Sequence, residues 1–599
     1  MKILLAPILF SILAGSLIFI IPKRLRKIAE GFSILSAGYL FIASINIFMS
    51  SPMTSKYLFI DGLSRFIVLG IGFFGILVTL YSLRFMAKCE AFSSYYGYTI
   101  WTIGFSILAA VSNNIVLLLV AWGFLGFTLF MLINIGGPNA AGTAKKTFII
   151  IGSSDSLMIL GFAICWSITG SLNLTGTKIA INDSLSFWAF FLIAIGAFAK
   201  AGAMPFHTWV PDTAKDAPIP VTAFLPASLD KLLGIYLLAR LVLNVFILDA
   251  ASQNILMIIG AVTIVAAVMM ALVQHDFKKL LGYHAVSQVG YMVLGLGTGN
   301  PIGIAGGLFH MLNNTIYKCS LFLIGGNVQH KTKTSDLDSL GGLARFMPIT
   351  FFCGLIAALS ISGVPPFNGF VSKWMVYQGL IEKGKSGGSL WIFCIVAAMI
   401  GSGLTLASFI KFIHAIFLGK SKNASRITHH ASRDEVPFTM LIAPIILSLL
   451  CIVFGVFAYV IPLKNLIVPA LPEGFAFIGM WPSLKATLFL GIGIFIGLGI
   501  YFLGNFKGVR ESTTYIGGEP KEEGMRLSGT EFYNTVKELP IIKGLYIKAE
   551  RKAFDIYEVG KKFIFLFIKV FKYLHNGILP TYLVWCLLGM MILFFALLK

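Results

Sequence analysis

Along most of its 599 residues this chain repeats one unit, a run of predominantly apolar residues, each about twenty long and so able, as a helix, to cross the roughly 30 Å hydrocarbon core of a bilayer. Such a run permits few folds. Backbone polar groups in lipid must be satisfied within the segment or in a closed barrel, and runs of this length without period-two alternation read as helices. They fall near 3–22, 31–50, 64–84, 96–112, 114–134, 146–168, 185–209, 219–246, 253–275, 280–298, 302–326, 347–382 (interrupted), 389–418, 436–462, 484–505 and 578–598. The expected fold class is all-α, a polytopic membrane protein of about 16 transmembrane helices. Only 12% of residues are charged and 57% are hydrophobic, with a mean hydropathy of +0.88, which excludes an ordinary soluble domain.

The formal net charge of +21 would suit a nucleic-acid binder if the basic residues shared one patch. They occupy alternate loops instead: Lys23, Arg24, Arg26 and Lys27; Arg84 and Lys88; Lys145 and Lys146; Lys278 and Lys279; Lys331, Lys333 and Arg345; Lys420, Lys422, Arg426 and Arg433. That is the positive-inside pattern, and it predicts cytoplasmic basic loops with both termini outside. No nucleic-acid partner is expected. The first apolar run has no small-residue cleavage site and is followed by its own basic stop, so it reads as a retained span.

The seven cysteines are scattered, mainly through the spans, with no C-x-x-C pair, which argues against an iron–sulfur or zinc framework. Neither a P-loop nor a GxGxxG opening a soluble helix occurs. The chain is therefore expected to carry no cofactor, no metal and no redox site of its own. Redox or ATP chemistry, where involved, belongs to partners.

Two segments match each other. Gly202-Ala-Met-Pro205-Phe206-His-Thr-Trp209-Val210 and Gly363-Val-Pro-Pro366-Phe367-Asn-Gly-Phe370-Val371 both read G-x-x-P-F-x-x-[WF]-V. Each interrupts a long apolar run near the end of a block of about five spans, 96–246 and 253–418, as the paired broken helices of transporter repeats do. Proline frees backbone carbonyls at membrane depth, and these are tolerated only where protein or water satisfies them. The expected organisation is N-terminal helices over 1–95, two inverted five-helix repeats over 96–246 and 253–418, and further spans over 436–505.

Four lysines lie inside apparent spans: Lys200, Lys231, Lys318 and Lys373. A cation there costs at least a few kcal/mol and is normally turned toward a partner or a water-filled path. Removal from water brings a lysine toward the range where it can take and release protons. Lys200 and Lys373 stand beside the two breaks, with Lys231 and Lys318 between. His284 and His310 lie in nearby spans, and His310, Asn314 and Lys318, spaced i, i+4, i+8, form one polar stripe on a helix. Asp155 is the only carboxylate deep in the first repeat apart from Asp230, and is expected to find a basic partner or share the proton path. Lys411 and His414 lie close enough to a span end to reach the surface. Lys278, Lys279, Lys215 and Lys331 read as solvated loop ends.

After the polar stretch YIGGEPKEEGMRLSG the chain becomes amphipathic. Ile542, Leu545, Tyr546, Ala549, Ala553 and Ile556 begin a helical period that continues through Phe563, Phe567 and Phe571, against Lys543, Lys548, Arg551, Lys561 and Lys569. A single helix from Pro540 to His575 would run roughly 54 Å. The expected arm is a lateral amphipathic helix within 527–575 on the cytoplasmic membrane surface, followed by an anchoring span at 578–598.

The runs AKAGAMPFHTWVPDTAKDAPIPVTAFLPASLDK, DFKKLLGYHAVSQVGYM, FHMLNNTIYKCSLFLIGG and SGVPPFNGFVSK closely resemble the antiporter-like proton-translocating subunits of respiratory complex I, a family that includes Mrp antiporters and energy-converting membrane hydrogenases. The resemblance covers roughly 60–420. With the lateral helix, the chain looks most like the distal, L-type subunit of NADH-quinone oxidoreductase or its hydrogenase counterpart. The resemblance implies a bacterial or archaeal-type cell (inner) membrane, other membrane subunits as partners and peripheral redox subunits bound through the complex. It also implies a proton- or sodium-translocating role coupled to redox chemistry, with Lys200, Lys231, Lys318 and Lys373 as the central path and His310 as the family histidine. A cation/proton antiporter or an inorganic-carbon uptake component without a redox partner is the alternative. One departure is notable. The family's fifth-span Trp-Glu, whose glutamate pairs with the first-break lysine, is Trp122-Gly123 here. Candidate replacements are Asp155 or a carboxylate from a neighbouring subunit.

Overall fold

A computed structural model describes residues 2–176, 178–419, 435–472, 477–503, 530 and 533–598. The basic residues Lys420, Lys422, Arg426 and Arg433, the expected membrane exit at Asn505–Lys507 and the start of the arm at 527 lie outside the described residues. The chain divides into two compact units, Met1–Lys537 and Glu538–Lys599.

Among the described residues, the expected spans of the first unit are largely helical. Helices α1 (Lys2–Ile20), α2 (Arg26–Met49), α3 (Gly62–Phe85), α4 (Phe92–Val111), α5 (Ile115–Asn134) and α6 (Pro138–Thr169) lead into the first broken element, α7 (Ser184–Ala201) and α8 (Trp209–Asp216). The next span is one helical stretch interrupted by π turns: α9 (Ile219–Phe224), a π turn at Leu225–Leu229, α10 (Asp230–Arg240) and a second π turn at Leu241–Val245. Then come α11 (Ala250–Leu272), α12 (Phe277–Gly297), α13 (Pro301–Thr332), the second broken pair α14 (Pro348–Ser362) and α15 (Asn368–Gly384), α16 (Leu390–Ile413), α17 (Phe438–Val456) and α18 (Ser483–Leu503).

The helix starts follow capping chemistry. Asp61, Asn114, Asp183, Asp249, Asp276 and Asn300 each accept a backbone N–H from the first turn of the helix they precede, satisfying donors that the helix cannot. Two short strand pairs are the only sheet among the described residues: Met53–Thr54 runs antiparallel to Phe59–Ile60, and Ile179–Ala180 parallel to Phe246–Ile247. They tie loops together and leave the fold largely helical.

Twelve described helical stretches are long and apolar enough to cross a membrane. α12 and α13 fall outside that set, and the reason is chemical. They carry His284, Gln288, His310, Asn313, Asn314 and Lys318, all fully buried. The centre of the unit is thus where polar side chains collect, shielded from lipid by more apolar helices. α11 reaches α12 through Gly260 and Gly290, where a Cβ on either would lie 2.8 or 2.6 Å from the other's carbonyl oxygen. Only glycine allows that approach.

In the second unit the expected single helix is two, α19 (Pro540–Glu550) and α20 (Ile556–Leu574), followed by α21 (Leu579–Leu597). Lys552 adopts a left-handed φ of +57°. The Lys552 and Ala553 N–H groups fold back onto the Ala549 and Lys548 carbonyls at 2.9 and 3.0 Å, which is a Schellman stop. Asp555 then caps α20 by accepting the Tyr557 N–H. Apolar periodicity runs across the break and so conceals it.

Candidate functional site

The two helix breaks are built alike. α7 ends at Gly202, φ +79°, and α14 at Gly363, φ +80°. In the first, Ala203 N–H donates to the Phe198 carbonyl and Gly202 N–H to Ala199; in the second, Val364 donates to Leu359 and Gly363 to Ser360. Both are Schellman motifs of the same register, and both glycines supply the left-handed residue that the motif requires. Each is followed by a cis proline, Pro205 and Pro366.

A helix end leaves carbonyls without intrahelical donors. At the first break the Lys231 ammonium donates to the Ala201 carbonyl. At the second, Lys373 donates to Ile361 at 2.9 Å and Ser362 at 3.4 Å. Ala201 and Ser362 hold the same position, immediately before the break glycine. The structural counterpart of Lys373 in this contact is therefore Lys231, not Lys200 as position along the sequence suggests. The π turn at Leu225–Leu229, with Ser228 Oγ bonded to the Ala223 carbonyl at 2.7 Å, directly precedes Asp230 and Lys231 and changes how they face from what a regular helix would give.

Between the breaks lie α12 and α13. Lys318 donates to the Leu281 carbonyl at 2.9 Å and faces the Phe409 ring at 5.6 Å. His284 Nε2 bonds Ser408 Oγ at 2.7 Å. His310 reaches Ser372 on α15 through Nδ1 at 3.0 Å and Gln288 on α12 through Nε2 at 3.1 Å. Ser372 precedes Lys373 in sequence, so His310 joins the polar stripe to the second break. Lys373 itself lies 4.9 Å from the Tyr291 ring centroid. Gln288 Nε2, His284 Nδ1 and both amide atoms of Asn314 are buried without a protein partner.

Lys200 sits at the other edge of this row. It is 1% exposed and pairs at 3.5 Å with Asp230, 2% exposed. Its ammonium lies 5.6 Å from the Trp122 ring centroid. The same indole donates to Asp155 Oδ1 at 3.0 Å, so the hydrogen-bond partner of Asp155 is Trp122 rather than a basic side chain. Gly123 is exposed, and a Cβ there would meet no atom within 4 Å. Sequence reasoning names Asp230 only as a second carboxylate deep in the first repeat and does not single it out as a site residue. Adjacent residues on a helix point about 100° apart, and that separation is the signal that could have found it.

Three other lysines are not where the sequence suggests. Lys278, read as a solvated loop end, is buried and donates to the Lys215 and Ala217 carbonyls at 2.5 and 3.2 Å, closing the end of α8. Lys146 is buried and pairs with Asp212 at 2.8 Å. Lys411 does not reach out to the surface; it is 2% exposed and donates to the Leu272 and Gln274 carbonyls at 2.8 Å each. All three exploit open carbonyls or a nearby carboxylate, a choice that apolar windows cannot reveal.

The family described as NADH:quinone oxidoreductase/Mrp antiporter, TM, matches residues 112–405, which contain both breaks and every lysine of the row. An A-type Na(+)/H(+) antiporter subunit from Alkalihalophilus pseudofirmus is 33% identical over 480 residues, 74% of this chain and 59% of that one. The chain belongs to the antiporter-like membrane family shared by Mrp antiporters and NADH:quinone oxidoreductase. It spans about three fifths of the length of the curated relatives it matches. Two solved structures share the fold of this superfamily member. A chain of the membrane-bound sulfane sulfur reductase, an archaeal respiratory membrane complex, aligns with TM-score 0.81 and 23% identity over 99% of both chains. A chain of the Mrp complex from Dietzia sp. aligns with TM-score 0.78 and 21% identity over 99% of this chain and 62% of its own.

Proposed function

We propose that this chain is an ion-translocating subunit of a larger membrane assembly and that protons move along the row Lys200, Lys231, Lys318 and Lys373, with His284, His310 and Asp155 beside it. The observation that carries the reading is the pair of matched breaks, each with an ammonium on its opened carbonyls, joined through the buried polar residues of α12 and α13. A lysine so placed is held by carbonyl dipoles, which favour its charged form, on a side chain whose amine can take and release a proton. Water is the natural link between the row's unpartnered polar atoms.

Relatives named as Na(+)/H(+) antiporter subunits favour cation/proton exchange as the driving process. A second reading, redox-driven pumping with peripheral redox subunits as partners, draws on the end-to-end fold match to a chain of a respiratory sulfur reductase complex. In either case the partners are other membrane subunits and the lipid bilayer. The proposed organisation has about sixteen spans, helices over 1–95, inverted five-helix repeats over 96–246 and 253–418, further spans over 436–505, a surface arm over 527–575 and an anchor at 578–598. Basic loops face the cytoplasm and both termini lie outside.

The test uses vesicles containing the intact assembly and a pH-sensitive dye. A sodium pulse that moves protons supports exchange; proton movement only on addition of an electron donor supports the second reading. Replacing both Lys200 and Lys373 by alanine abolishes either signal, and undiminished transport in that variant overturns the proposal.

A further inference from the structure

A buried ammonium needs compensation, and Lys200 has two carboxylates near it. Asp155 is already engaged by the Trp122 indole, whose ring stands against Lys200. Asp230 makes the ion pair, and its second oxygen, Oδ2, is buried without a hydrogen-bond partner. The Lys200 ammonium likewise has no shorter hydrogen bond. Lys231, the other cation near Asp230, is turned away onto the Ala201 carbonyl. Two neighbouring residues of α7, Lys200 and Ala201, thus engage two neighbouring residues of α10, Asp230 and Lys231. α7 and α10 are pressed together at Gly234, where a Cβ would come within 2.6 Å of the Ala201 nitrogen. The carboxylate is therefore fixed by backbone packing. Position 123, by contrast, faces outward with no neighbour.

We infer that Asp230 is the positioning residue for Lys200, a counter-ion supplied from within this chain, so that the first break's lysine is set without a carboxylate at position 123 or from a neighbouring subunit. The inference rests on the proposed translocation role. Asp230 acts through Lys200, holding its charge at the end of the row. Because Asp230 also adjoins Lys231 in sequence, it ties the first two lysines of the row to one element, α10.

The experiment compares the intact assembly carrying Asp230→Asn, Asp230→Glu, Lys200→Ala, Lys200→Ala with Asp230→Asn, and Lys373→Ala, each checked for subunit content and assayed for proton movement in vesicles. Asp230→Asn is expected to lower the rate about tenfold, a size typical of coupled neighbours, with Asp230→Glu restoring most of it. Adding Asp230→Asn to Lys200→Ala is expected to cause no further loss. Full transport in Asp230→Asn while Lys373→Ala is inactive overturns the inference and leaves the translocation role intact. Full transport in Lys373→Ala overturns the translocation role instead. If Asp230→Asn fails to assemble, Asp230→Glu decides alongside Lys200→Ala. An assembled Glu variant no more active than Lys200→Ala removes the positioning role, because a carboxylate one methylene longer still reaches a partner 3.5 Å away.

Discussion

Lys231 and Lys373 make the same contact in the two halves of the chain: each donates its ammonium to the last carbonyls of the half-helix that stops at a break glycine, Ala201 in one case and Ile361 with Ser362 in the other. A positive charge at a helix C-terminus is favoured by the dipole and by the open carbonyls. Each lysine therefore has a reason to be charged that involves no carboxylate. Loss of its proton would weaken that attraction.

Lys373→Met is expected to lower proton movement roughly 100-fold, the scale of a lost proton-transfer group, with the assembly retained. Lys373→Arg keeps the cation and its donors but not a removable proton, and is expected to fail as well. Dye-based proton uptake in vesicles reads both. Active Arg variants would mean that charge at the break suffices and that proton exchange at Lys373 is unnecessary.

The break glycines make a separate prediction about stability. Gly202 and Gly363 sit at φ +79° and +80°, and a Cβ would lie 3.1 Å from Lys231 Nζ in the first and 3.1 Å from Lys373 Cδ in the second. Alanine at either position carries the left-handed penalty of about 1–2 kcal/mol and pushes on the lysine. A lowered melting temperature in detergent is expected for both variants. Equal melting of wild type and variants would show that the breaks can relax.

Much of this was legible in the sequence, and the exceptions share a cause. Spans, breaks and the lysine row follow from apolar windows, the repeated G-x-x-P-F motif and the cost of intramembrane charge. Hydropathy, however, locates a residue along a helix without saying what it turns toward. Lys278 and Lys411 are near span ends, where a long side chain can reach water, yet both fold onto carbonyls. Lys200 finds Asp230 across two helices, a pairing that depends on the close approach at Gly234 and on a π turn that no periodicity announces. The arm's break at Lys552 is hidden for the opposite reason: apolar residues continue in phase through it, and only Asp555 marks a new helix start.

Lys318 lies on α13, between the two breaks. It donates to Leu281 and faces Phe409, on the same helix as His310, which reaches α15. Lys318→Met roughly keeps the volume and removes the titratable ammonium of the proposed path. Proton movement is expected to fall by roughly 100-fold, with melting little changed because Leu281 retains its place in α12. A variant that transports normally would remove Lys318 from the path and leave the two halves unconnected by lysine.

Asp61 and Arg240 give a pH-dependent prediction outside the row. Asp61 caps α3 by accepting the Ser64 N–H at 2.8 Å, and Arg240 donates to both of its oxygens at 2.5 Å. Burial alone would raise the Asp61 carboxyl, but the Arg240 hydrogen bonds and charge, with the Ser64 N–H, outweigh it and hold the group below its ordinary value of 3.8. A carboxyl depressed in the folded state contributes stability that is fully present above its ordinary value and is lost as the pH falls through the depressed one. Asp61→Asn should therefore lower the melting temperature near neutral pH and cost progressively less on acidification below the ordinary carboxylate range. The Asp61 side chain is 38% exposed, so solvent screening limits the effect to about 1 kcal/mol or less. Thermal melts of wild type and variant across that range measure the gap directly, and a gap that stays constant as the pH falls would show that the Asp61 charge does not stabilise this edge of the fold.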